Sequence, residues 1–167
     1  PYMDRDEVAQ VLGIAPDQVR IIPSAVGGGF GGKLDCSVQP LLAVAAWILE
    51  KPIRCTFTRP ESLASSTKRH PAKMKASASC DKDGTLTSLS FEGDFNTGAY
   101  ASWGPTVADR VPIHCSGPYF VPNILAKTRA LLTNGPPSGA FRGFGVPQSA
   151  IAHEALMDSL AEQTDID

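Results

Sequence analysis

The chain holds 167 residues, of which 43% are hydrophobic, and its 15 Lys and Arg against 17 Asp and Glu leave a formal net charge of −2. That is one ordinary domain's worth of chain, without the basic field that grips nucleic acid or a polybasic membrane-binding face. The longest apolar run, residues 41–49, is far short of the roughly 20 residues of a membrane span, and no signal-peptide pattern opens the sequence, so a soluble, cytoplasmic protein is expected.

Asp4-x-x-Glu7 has capping-box spacing, Val8, Val11 and Leu12 recur at i, i+3 and i+4, and Gly13 stands where a C′ glycine belongs. A short helix is predicted over residues 5–12. Val19-Arg20-Ile21-Ile22 is a β-branched run, predicted as a strand that delivers the chain to the glycines of residues 27–32. Residues 40–50 are continuously apolar, with Pro40 tolerable in a first turn and Pro52 stopping the run, and predict a buried helix. Residues 53–58 read as a strand, and the mildly basic stretch 59–69 as a solvated loop.

From Ala72 the period changes to two. Met74, Ala76, Ala78 and Cys80 alternate with Lys73, Lys75, Ser77 and Ser79, and the run beyond Asp81-Lys82-Asp83-Gly84 places Leu89, Phe91 and Phe95 on one face, which predicts a hairpin. Residues 98–121 carry three prolines and little periodicity and are predicted as loop, followed by a strand over 124–132. A last helix is expected with Pro147 at its start and Ala152, Ala155, Leu156 and Leu160 forming one apolar face. The class is therefore α+β: a mixed sheet with an antiparallel hairpin packed against several helices. Pro1-Tyr2 lacks an initiator Met and Thr164-Asp165-Ile166-Asp167 has no stop signal, so residues 1–167 are expected to be a single segment of a longer polypeptide.

Charged residues make up only 19% of the chain, against about 25% in a typical one, while Gly and Pro together reach 29 residues where about 12% is usual. Four cysteines, Cys36, Cys55, Cys80 and Cys115, are spaced too irregularly for a zinc ribbon and are expected to be reduced and mostly buried. His70, His114 and His153 lack ligand spacing, and Glu154 and Asp158 read as the solvated face of the last helix.

The glycine excess is concentrated. Gly27-Gly28-Gly29-Phe30-Gly31-Gly32-Lys33 satisfies most of a P-loop, but Leu34 stands where a magnesium-binding Ser or Thr hydroxyl is needed. Gly27, Gly29 and Gly32 also spell G-x-G-x-x-G, yet the convincing helix begins several residues later and the strand over 53–58 ends in Arg59 rather than an acid. Five glycines in six residues are costly in backbone entropy, so something must use the bare main chain. A second segment, Gly139-Ala140-Phe141-Arg142-Gly143-Phe144-Gly145-Val146-Pro147-Gln148, again mixes glycines with aromatics and a cation.

Together these two segments resemble the molybdenum hydroxylases, the xanthine dehydrogenase and aldehyde oxidase family, over essentially the whole chain but only part of the molybdopterin-binding subunit. The resemblance implies a molybdenum–molybdopterin cofactor, with or without a cytosine dinucleotide extension, in an oxidoreductase that hydroxylates aldehydes or aromatic N-heterocycles with water-derived oxygen. It implies iron–sulfur clusters and FAD on other domains or subunits as electron-transfer partners, alongside the rest of the chain's own subunit.

By the same resemblance Phe30, flanked by Gly29 and Gly31, and Arg142 line the molybdenum and bind the cofactor without a side-chain ligand. Leu34, Arg110 and Phe144 shape the substrate pocket. Arg110 falls where purine-hydroxylating members keep an arginine that stabilises developing charge, and Gln148 falls on a family glutamine. Leu34 replaces the glutamate with which xanthine-type enzymes bind a purine edge, which turns expectation toward aldehydes and less polar aromatics. Gly143 replaces the cysteine of carbon monoxide dehydrogenases. The glutamine that reaches the metal's oxo ligand belongs before Pro1 and the catalytic glutamate beyond Asp167, so no catalytic residue is nominated and the segment alone is expected to be inactive. Two other readings remain: a nucleotide-binding module using the loop from Gly27 to Lys33, and a non-catalytic interaction module.

Overall fold

The computed structural model describes residues 1–166, which form two compact units, Pro1–Ser66 and a second that runs from Thr67. In the first unit, α1 (Tyr2–Leu12) buries Val8 and Ala9 and packs on α2 (Gln39–Leu49). Gly13 ends α1 in a left-handed conformation, φ 67°, with its N–H on Gln10 O and the Ile14 N–H on Ala9 O; only glycine adopts this Schellman stop without a Cβ penalty. The helix begins at Tyr2, ahead of Asp4, so the expected capping box does not form. Asp4 instead accepts from the Cys36 thiol at 3.3 Å. Partial burial, with the Glu7 and Asp4 carboxylates beside it, raises that thiol's pKa far above its ordinary value.

Further expectations for this unit are corrected. α2 has the predicted limits within a residue, but none of its residues is buried, and Leu41, Trp47 and Ile48 are more than 60% exposed because α1 covers only part of an all-apolar helix. Residues 19–22 and 53–58 form no strand: no sheet lies within this unit for them to join, and extended chain without a ladder partner is not a strand. Part of the expected basic loop is α3 (Arg59–Ser65), capped by Thr58, whose Oγ1 accepts from the Glu61 N–H while Glu61 Oε2 accepts from the Thr58 N–H.

The second unit is a three-stranded mixed sheet with two helices on one face. β1 (Ala72–Cys80) and β2 (Leu86–Gly98) form the predicted antiparallel hairpin, in register Ala76↔Phe91 and Ala78↔Leu89. Its turn is closed by the Gly84 N–H on Asp81 O and by Asp83 Oδ1, which accepts from the Thr85 N–H. Gly93 is demanded by its neighbours, since a Cβ there would stand 2.7 Å from the Phe95 ring and 2.9 Å from the Phe91 ring. The opposite face carries charged rows, Lys73–Asp94–Arg129 and Lys75–Glu92–Lys127.

β3 (Ile124–Leu132) has the predicted limits and pairs parallel to β2. A parallel return requires a crossover, and α4 (Gly104–Ile113) supplies it within the segment expected to be loop. Pro105 sits in its first turn, Pro112 near its end, and Gly104, Val107, Ala108 and Val111 form its buried stripe. α5 (Val146–Thr164) starts as expected, with Pro147 in the first turn.

The core comprises Leu89, Phe91, Phe95, Ala108, Val111, Cys115 and Val121, with Met74, Ala76 and Ala152 packed against it. The buried face of α5 is polar rather than the predicted apolar stripe: Gln148, Ser149 and His153 are buried, whereas Ala155 is exposed. Hydrogen bonds make this tolerable, with Gln148 Nε2 donating to His70 O at 3.1 Å and Ser149 Oγ to Val146 O at 2.9 Å. Glu154 and Asp158 are exposed, as expected, and Glu154 also accepts from the Tyr119 hydroxyl at 2.8 Å, which raises the phenol's pKa. All four cysteines are free thiols, but only Cys115 is buried, and Cys55 lies exposed in the unpaired 53–58 segment. Among the described residues no helix is long and apolar enough to cross a membrane.

Candidate functional site

The predicted site residues divide between the two units: Gly29, Phe30, Gly31 and Leu34 in the first, Arg110, Arg142 and Phe144 in the second. In the first, no strand leads into the glycine loop and no helix opens at Lys33; the chain turns twice, with the Gly32 N–H on Gly29 O and the Leu34 N–H on Gly31 O. α2 begins only at Gln39. The nucleotide-binding reading therefore finds no support, because both phosphate loops require a strand before the glycines and a helix N-terminus immediately after them.

Two residues of this loop are left-handed, Phe30 at φ 51° and Gly31 at φ 90°. The Phe30 ring folds back over Gly28, where a Cβ would lie 2.7 Å from a ring carbon, while the ring itself is 68% exposed. Gly27, Gly29 and Gly32 are different: a Cβ on any of them would meet nothing closer than 3.6 Å. The chain's own packing makes no use of their bareness. Exposed main chain of this kind can approach a bulky group closely, and so it fits a pterin-borne metal.

In the second unit the loop from Gly139 is anchored at its start and closed by an internal turn. The Ser138 N–H donates to Thr97 O at 2.8 Å and the Gly139 N–H to Lys68 O at 3.0 Å, while the Phe144 N–H closes a turn on Phe141 O at 2.7 Å. Gly143, Phe144 and Gly145 are consecutive left-handed residues, φ 86°, 49° and 98°. Gly143 and Gly145 answer to internal packing, unlike Gly27, Gly29 and Gly32 of the first loop. A Cβ on Gly143 would stand 2.6 Å from the Pro147 ring, and one on Gly145 would stand 2.9 Å from both Val107 O and Val111 Cγ2.

Phe144 is the centre of this cluster. Trp103 meets it edge-on at 6.3 Å between centroids, and the exposed Arg110 guanidinium lies 5.3 Å from its centroid. The structure thus joins two of the predicted substrate residues and adds Trp103, which went unnoticed because its segment was expected to be loop. A narrow crevice beside them is lined by Arg69, His70, Phe141, Phe144, Gly145 and Gln148. Gln148 is only 6% exposed and its Oε1 makes no hydrogen bond to the chain. Arg69 was also missed; the one sequence signal was a basic pair, Lys68-Arg69, directly ahead of His70-Pro71.

Phe30 and Phe144, the two aromatics assigned to cofactor and substrate, are both non-glycine residues held at positive φ. Bulky side chains rarely occupy that region, and the strain of roughly 1–3 kcal/mol that each carries is typical of functional sites. The assigned residues carry no carboxylate or imidazole, so their own chemistry is to position and polarise a ligand.

Comparison with known proteins shows the family. The chain is 47% identical over 167 residues to the nicotinate dehydrogenase large molybdopterin subunit of Eubacterium barkeri, all of this chain and 39% of that one. The aldehyde oxidoreductase of Desulfovibrio gigas superimposes with a TM-score of 0.92 at 32% identity, covering 98% of this chain and 18% of that one. Quinoline 2-oxidoreductase of Pseudomonas putida 86 gives 0.90 at 28% identity, over 100% and 22%. The chain spans well under half the length of these relatives. A family model for the molybdopterin cofactor-binding domain matches residues 1–167, and the chain belongs to that family.

Proposed function

We propose that the chain is the part of a molybdenum hydroxylase's large subunit that presents two glycine loops to the cofactor and an aromatic–cationic pair to the substrate. When bound, the molybdenum–molybdopterin group supplies the redox chemistry by which a water-derived oxygen is added to an electron-poor carbon of an aldehyde or aromatic N-heterocycle. This chain's share is to bind and orient. The bare main chain at Gly29, Phe30 and Gly31 and the loop at Arg142 would hold the cofactor. The Phe144 ring would stack on the substrate, and Arg110 would stabilise negative charge developing on it. Leu34, apolar and half-buried, offers no hydrogen bond to a polar ring edge, which favours nicotinate-like heterocycles and aldehydes over purines. The same reading places iron–sulfur clusters and FAD on other domains or subunits and the enzyme in the cytoplasm.

The observation that carries this reading is the Arg110 guanidinium over the left-handed Phe144, a planar face and a cation side by side. It is tested on the purified full-length protein with its partner subunits, measuring molybdenum per subunit and turnover of nicotinate, quinoline, benzaldehyde and xanthine with a dye acceptor. Stoichiometric molybdenum with turnover of one of the first three, above xanthine, is the expected result. Absence of molybdenum, or preference for xanthine, would overturn it.

A further inference from the structure

Lys68 and Ser138 form an isolated parallel bridge, with the Lys68 N–H on Pro137 O and the Gly139 N–H on Lys68 O. This lays residues 68–70 alongside the start of the second glycine loop. Arg69 Nη2 donates to the Arg142 carbonyl at 2.7 Å, across 73 residues of sequence, and its guanidinium lies 4.6 Å from the Phe141 centroid. The next residue takes part too, since His70 O accepts from Gln148 Nε2 just after the loop. Arg69 Nη1 and Gln148 Oε1, a donor and an acceptor, are both buried, make no hydrogen bond to the chain, and belong to residues lining the same crevice.

The loop needs such a hold. From Gly143 to Gly145 it runs through three left-handed residues, and the Arg142 carbonyl belongs to the peptide that enters this run. Its orientation decides where the Arg142 and Phe144 side chains are offered. A guanidinium suits the task because it is permanently charged, donates in a fixed plane and stacks on an aromatic face; an ammonium does only the first.

We propose that Arg69 is a positioning residue for this site, locking the peptide after Arg142 so that Arg142 and Phe144 face cofactor and substrate in productive geometry. The proposal rests on the reading that these two residues border cofactor and substrate. Its test uses the holoenzyme with R69K and R69M, and K82M in the exposed hairpin turn as control. Three quantities are read: amide hydrogen exchange at Gly139 and Phe144, molybdenum per subunit, and kcat and KM per bound molybdenum with nicotinate, or with benzaldehyde where the panel ranks it higher.

Losing a charge-assisted hydrogen bond should raise loop exchange by about tenfold or more in R69M while β1–β2 exchange stays unchanged. kcat per molybdenum should fall by a comparable factor, and R69K should recover part of both. A merely stabilising arginine would lower yield without changing turnover per molybdenum. Unchanged loop exchange in R69M overturns the proposal. Raised exchange with wild-type turnover and molybdenum content overturns instead the reading that the loop borders the cofactor. Should R69M not fold, R69K decides: partial loosening with a partial fall in kcat supports the proposal, and wild-type behaviour overturns it.

Discussion

The hydroxyl of Thr128, on β3, donates to the carbonyl of Ala108, on α4, at 2.9 Å. In an uninterrupted helix that carbonyl would accept from the amide four residues on, but residue 112 is proline and has none. The sheet thus supplies the hydrogen bond that the helix sequence removes. Thr128→Val keeps the shape and leaves the carbonyl without this donor, so it should cost about 1 kcal/mol, whereas Thr128→Ser should cost less. Thermal melting of the two variants checks it; equal losses would show that packing rather than the hydroxyl matters.

Gly145 joins the second loop to α5 at φ 98°, against Val107 O and Val111 Cγ2. Gly145→Ala adds both backbone strain and a steric clash and should destabilise the unit by about 1–3 kcal/mol or more. Gly27→Ala, at a negative-φ position with open space, should leave stability nearly unchanged while lowering molybdenum content. Denaturant unfolding and metal analysis of the two variants make the contrast; a stability loss of similar size in both would contradict the assignment of one glycine to packing and the other to the cofactor.

On the polar face of the sheet, Arg129 Nε and Nη2 grip Asp94 Oδ1 and Oδ2 at 2.7 and 2.8 Å, which holds that carboxyl below its ordinary pKa. The folded state therefore binds this proton less readily than the unfolded chain. The resulting stabilisation is fully present above the ordinary Asp value of about 3.9 and is lost as pH falls through the depressed folded value. The melting temperature of Asp94→Asn should lie below that of the wild type near pH 6, and the gap should narrow as pH falls below the ordinary Asp value of about 3.9. A gap independent of pH would exclude the ion pair as its source.

Arg110 is exposed and stands over Phe144, away from the core. Arg110→Met should leave the fold and molybdenum content intact and reduce kcat/KM for an N-heterocycle by about 10²–10³, the range associated with removing one donor to a developing anion. Steady-state kinetics on the metal-replete variant is the check, and a fall in molybdenum without a fall in turnover per molybdenum would move Arg110 from substrate to cofactor.

Much of the second unit was legible in the residues. Period-two alternation with a turn at Asp81-Lys82-Asp83-Gly84 is a local signal, and the hairpin and β3 follow it closely. The two glycine loops were legible as unusual composition, and their pairing pointed to the family. α4 was not, because its stripe of Gly104, Val107, Ala108 and Val111 is interrupted by Pro105 and followed by Pro112, which read as breakers; its reason for existing is the parallel register of β2 and β3. The polar face of α5 was invisible for a similar reason, since Gln148 becomes acceptable inside only when His70 O, 78 residues away, accepts from it.

By itself the sequence determined what depends on neighbours in the chain: the Gly13 stop, the hairpin and its inward face, the start of α5, and the bare glycines around Phe30. Only the tertiary structure decided what depends on distant partners. It withheld strands from residues 19–22 and 53–58 by giving them no ladder, put Arg110 over Phe144, assigned Gly143 and Gly145 to packing, and brought Arg69 to the carbonyl of Arg142. Local propensity follows from the residues within a turn or two, whereas burial, pairing and the hold on a loop depend on which surfaces the folded chain brings together.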